Sequence, residues 1–93
     1  MKQNRKKIKD LIKQCRPEIT EEALDDIVYA ISDYIDDVSD NAQKQNEDLL
    51  QAVKELKEFL EGIEIPTTKD EIRLQEIKNL EYKLSEIVLN NRK

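Results

Sequence analysis

Residues 24–63 read LDDIVYAISDYIDDVSDNAQKQNEDLLQAVKELKEFLEGI, and their rhythm decides how the chain folds. Apolar side chains recur at Leu24, Val28, Ile31, Ile35, Val38 and Ala42, in alternating steps of four and three. The same alternation passes Gln45 and continues through Leu49, Ala52, Leu56, Phe59 and Ile63, with Ile27 and Tyr34 widening the face. This is a heptad seam, and only Gln45 interrupts it. An unbroken helix over residues 20–61 would span roughly 60 Å. A compact chain of this length has a radius of gyration near ~12 Å. Compactness therefore asks for a break, and SDNAQKQNED (39–48) is where apolar side chains thin out and Ser39, Asp40, Asn41 and Asn46 offer capping groups. That segment holds neither Gly nor Pro, so the turn is not forced. The expected fold is all-α, a small antiparallel four-helix bundle in one domain over residues 1–93. The alternative is three helices with a long heptad-patterned central helix, paired as a homodimer through its seam.

The flanking sequence supplies the other helices. Ile8, Leu11, Ile12 and Cys15 form a narrow apolar stripe among Lys and Arg, and Pro17 stops that first helix. Thr20 is placed to cap the second, with Glu21 and Glu22 in its first turn and Ile19 able to staple onto Leu24. The third runs near residues 47–61, turning Leu49, Val53, Leu56, Phe59, Leu60 and Ile63 inward, with Gly62 to end it. Thr68 and Glu71 match a capping box for the fourth, residues 69–90, which gathers Leu74, Ile77, Leu80, Leu84, Ile87 and Val88 on one side.

Composition narrows the chemistry. Apolar residues make up 38% of the 93-residue chain and charged residues 40%, with no histidine and a single cysteine. The commonest general base, metal ligand and neutral-pH switch is thus missing, and an intrachain disulfide is impossible. Cys15 reads as a small buried hydrophobe. The basic opening MKQNRKKIKDLIKQC lacks the apolar core of a signal peptide, and no stretch has transmembrane length. A soluble cytoplasmic protein is expected, without cofactor or metal.

Charge is laid out unevenly. Residues 1–16 carry +6, residues 17–40 carry −9 and residues 41–93 carry −2, which accounts for the net −5. The stretch EITEEALDDIVYAISDYIDDVSD (18–40) holds nine carboxylates and no base. Asp26, Asp33 and Asp40 fall opposite the seam, with Glu22, Asp36 and Asp37 beside them. Like charges one turn apart cost about 0.2–0.5 kcal/mol a pair, and a plain solvated face would relieve them with Lys. Three targets would account for the acidity: the +6 opening helix, a basic partner protein, or a divalent cation. The last is disfavoured, because DYIDDVSDN lacks the glycine and terminal glutamate of a calcium loop.

A row of carboxylates on a convex face, without a base beside a nucleophile, does not make a catalytic site, so no enzyme is expected. The reading is a non-catalytic protein-binding module: an acidic inhibitor, immunity or antitoxin-like protein, or a phage counter-defence factor. It would block a basic, nucleic-acid-handling partner through Glu22, Asp25, Asp26, Tyr29, Asp33, Asp36, Asp37 and Asp40. Two other classes compete. One is a structural coiled-coil assembly or adaptor subunit using the seam. The other is nucleic-acid binding, with Arg5, Lys6, Lys7 and Lys9 as the anion-binding set, against which the acidic neighbour works.

The helix–loop–helix rhythm of LKEFLEGIEIPTTKDEIRLQEIKNL is similar to that of the small immunity proteins that protect lactic acid bacteria from their own bacteriocins. Residues 19–42 also resemble the central helix of a histone fold, without its strand-pairing loops. Both are likenesses of architecture, carried by no specific motif.

Overall fold

Four helices account for most of the described residues: α1 (Lys2–Cys15), α2 (Glu21–Ile31), α3 (Ala42–Glu61) and α4 (Thr68–Asn91). The computed structural model describes residues 2–35 and 41–91. Its radius of gyration is 12.7 Å, as expected of a compact bundle of this length. α1 and α2 form one antiparallel hairpin, while α3 and α4 form the other and share the most extensive helix–helix contact.

The central segment does break, but earlier than its composition suggests. α2 ends at Ile31 and α3 has already begun at Ala42, so most of SDNAQKQNED is helix. The second helix does not stop abruptly. Ser32 stays in the right-handed region (φ −61°, ψ −17°), with its N–H on the Val28 carbonyl. Asp33 and Tyr34 then donate to Ala30 and Ile31, three residues back, at 3.4 and 2.8 Å. Asn41 caps α3 through its side chain, which accepts from the Lys44 N–H at 3.3 Å. The long unbroken central helix is therefore not the architecture of the monomer.

The core is the apolar stripe of each helix turned inward. Ile8 and Ile12 of α1, Leu24, Ile27 and Ile31 of α2, Leu49 and Val53 of α3, and Ile77, Leu80 and Leu84 of α4 are essentially inaccessible to water. Each such side chain contributes about 1.5–3 kcal/mol by leaving water. Leu11, Cys15, Ile19, Tyr34, Ile35, Ile63 and Leu74 pack around them, half-buried. Phe59 departs from the expected pattern: it is 59% exposed. The seam repeats every 3.5 residues, but a straight helix drifts from that by ~20° per heptad. By the end of α3, Leu56 and Leu60 hold the centre of the buried face and Phe59 has moved off it.

Caps set the remaining boundaries. The Ala23 N–H donates to Thr20 Oγ1 at 3.2 Å, as expected. The box before α4 sits one residue earlier than Thr68 and Glu71 imply. Asp70 N–H donates to Thr67 Oγ1 and Thr67 N–H to Asp70 Oδ2, both at 3.1 Å. Those bonds hold the Asp70 carboxyl below its usual range. Gly62 follows α3 without a positive φ, its N–H shared between the Glu58 and Phe59 carbonyls at 3.1 and 3.2 Å.

Candidate functional site

The acidic helix α2 lies against the basic helix α1, and the two match step for step. Moving back along α1 by fours and forward along α2 by fours pairs Lys13 with Glu21, Lys9 with Asp25, and Arg5 with Tyr29. Lys13 Nζ donates to Glu21 Oε1 at 3.0 Å, and Lys9 Nζ lies 3.4 Å from Glu21 Oε2 and 3.3 Å from Asp25 Oδ1. The Arg5 guanidinium stands over the Tyr29 ring, 5.4 Å from its centroid, within cation–π range. Hydrogen bonds from Lys13 and then Lys9 hold the Glu21 carboxyl below the usual range. Asp25 and then Glu21 raise the Lys9 ammonium in turn. The antiparallel course of the first hairpin is written in these pairs.

Asp26 does not face water opposite the seam. It turns towards α4, where Arg73 Nε and Nη2 donate to its two oxygens, each at 2.6 Å. Both side chains are about three-quarters buried, at 26% and 22% exposure. The Arg73 bonds depress the Asp26 carboxyl, and the same contact raises Arg73. The Arg73 partner escaped the sequence reading, although a signal exists. Arg73 stands one turn before Ile77, on the flank of the buried face of α4, where a cation needs an anion opposite. Glu81, one turn after Ile77, meets Lys57 of α3 at 3.0 Å by the same logic.

What is left over is small and local. Glu22 and Asp33 are exposed and make no ion pair among the described residues. Tyr29 is 64% exposed. Glu22, Asp25 and Tyr29 succeed one another by three and four residues and so share one side of α2, while Asp33 lies in the turn two residues past its end. Asp36, Asp37 and Asp40 lie outside the described residues.

Of the anion-binding set, Lys9 is engaged with two carboxylates and Arg5 with Tyr29, while Lys6 joins them along a shallow groove with Asp25 and Val28. Lys7 is exposed. A second groove between α2 and α4 sets Ala23 and the 57%-exposed Ile72 between Glu22 and Lys69. Cys15 is half-buried, and burial pushes its thiol up, away from the reactive thiolate. Among the described residues no group of three or more His, Cys, Asp or Glu side chains is placed to hold a metal ion. No helix among them is long and apolar enough to cross a membrane.

Comparison with protein-family models, with curated proteins and with solved structures finds no match.

Proposed function

We propose that this chain is a non-catalytic binding module whose docking surface is the outer side of α2, directed at a basic protein surface. One observation supports it above the others. With Glu21 and Asp25 paired to α1 and Asp26 to α4, α2 still presents Glu22 and an exposed Tyr29, and Asp33 is exposed in the turn just past its end. An amphipathic aromatic near carboxylates that make no ion pair among the described residues suits an interface with Lys- or Arg-bearing partners. Its physical work is steering and occlusion: the acidic face accelerates encounter, and Tyr29 supplies contact area.

The same contacts narrow the site. Glu21 and Asp25 pair with α1 at the surface and Asp26 pairs with Arg73 of α4, so most of the negative charge on α2 already has a counter-charge within the chain. They also take support away from nucleic-acid binding through α1, because Lys9 and Lys13 have their carboxylates at hand.

The test is direct titration of a basic protein, recovered by affinity capture and then purified, against the native chain and a Glu22→Lys, Asp33→Lys variant. Both substituted positions are exposed, so circular dichroism should show an unchanged fold. The reading expects a loss of affinity of tenfold or more in the variant, and a steep fall in the native association rate with salt. Equal affinity for the two chains would remove α2 from the interface.

A further inference from the structure

We propose that the groove between α2 and α4 is the contact through which two copies of this chain pair, face to face about a two-fold axis that runs along the groove. The proposal goes beyond the basic-partner reading and shares only Glu22 with it.

The groove is built by the first turns of two helices. α2 starts behind the Thr20 cap and supplies Glu22, Ala23 and, a turn later, Asp26. α4 starts behind the Thr67–Asp70 box and supplies Lys69 and Ile72. Ile72 stands off the stripe of Ile77, Leu80 and Leu84 that α4 buries, and it is 57% exposed. A single exposed isoleucine is ordinary. This one lines the same groove as Ala23, with an acid on the α2 wall and a base on the α4 wall. The groove holds about 260 Å³, less than the roughly 300–1,000 Å³ of a small-molecule site. It suits an inserted side chain.

The charges decide which chain supplies that side chain. Neither Glu22 nor Lys69 makes an ion pair among the described residues. Asp26, the other carboxylate of the groove, has both oxygens bonded to Arg73. A uniformly basic surface would answer Glu22 but set like charge against Lys69, and an acidic one would do the reverse. A second copy carries both charges at the same separation. Turned about the two-fold axis, Glu22 of each chain meets Lys69 of the other, and Ala23 of each receives Ile72 of the other, small against large. Each contact is made twice, as an isologous interface requires. The walls are short and the charges exposed, so the pairing belongs to the weak, concentration-dependent class and loosens with salt. Because it covers Glu22, the second copy competes with a basic partner for α2.

The experiment compares full-length native, Glu22→Lys, Lys69→Glu and Ile72→Ser chains by sedimentation equilibrium, up to millimolar concentration at low salt. All three positions are exposed, so circular dichroism should show the native fold in each. The native chain is expected to dimerise reversibly, and each variant alone to dimerise at least tenfold more weakly. An equimolar mixture of Glu22→Lys and Lys69→Glu is expected to regain the native strength, as heterodimer well above the statistical share in native mass spectrometry. One chain then brings two lysines to the axis and the other two glutamates. Lys69→Glu also separates this proposal from the basic-partner reading: it weakens the dimer, yet a basic protein binds the more acidic face at least as tightly. A native chain that stays monomeric at millimolar concentration, a dimer that any of the three substitutions leaves unweakened, or a mixture without excess heterodimer would each overturn the proposal.

Discussion

Cutting the Asp26–Arg73 pair tests whether the acidic helix is held by the bundle or merely decorated by it. Two hydrogen bonds of 2.6 Å link a carboxylate on α2 to a guanidinium on α4, with each side chain about three-quarters buried. A hydrogen bond to a charged group contributes about 1.5–3 kcal/mol, while fully exposed ion pairs contribute about 0–1 kcal/mol. With a quarter of each side chain still in water, the coupling should lie between these, at about 1–2 kcal/mol. The measurement is a double-mutant cycle of Asp26→Asn and Arg73→Met, each chain unfolded in urea at neutral pH and moderate salt. The Asp26 pKa is depressed in the folded state by Arg73. The contribution is therefore complete above the unfolded carboxylate's pKa of about 4 and disappears as pH falls through the lower folded value. Repeating the cycle in acid should erase the coupling. A coupling near zero at neutral pH, or one unchanged in acid, would refute the assignment and return Asp26 to the solvent face.

Three further outcomes follow from the packing. Phe59→Ala should change stability by less than about 1 kcal/mol, whereas Leu56→Ala one turn earlier should cost about 2–5 kcal/mol; equal losses in urea titrations would mean that Phe59 is core. Gly62→Ala should be neutral or stabilise the fold by about 0.4–1 kcal/mol, read as a slightly higher melting temperature. Its φ is not positive, and an added Cβ would meet only the Glu58 and Phe59 carbonyl oxygens, at 3.5 Å, so a clear loss would show that the glycine is needed. Thr20→Ala and Thr67→Ala should each cost about 1 kcal/mol, and amide hydrogen exchange should quicken in the first turn of α2 for the former and of α4 for the latter; unchanged exchange would mean that the hydroxyls do not cap.

Periodicity, caps and charge asymmetry were enough to expose four helices, their inward stripes and most of their ends, because each is local. A helix reads its own neighbours three and four residues away, so Ile8 with Ile12, Leu24 with Ile27 and Val28, and Thr20 with Ala23 are visible in one dimension. Even a counter-charge for part of the acidic stretch was present, as the +6 segment that precedes it.

Tertiary structure alone decided which of the carboxylates face water. Asp25 and Asp26 are adjacent in sequence, yet one leans to Lys9 of α1 and the other to Arg73 of α4, because successive residues point about 100° apart and different helices wait on either side. The same holds for Phe59, whose place in the seam is intact in sequence but whose ring lies outside the face that α3 buries. Where α2 gives way to α3 is of this kind too. The heptad pattern permits a straight helix, and it is the burial of α2 against α1 and α4 that makes the folded-back arrangement of the monomer.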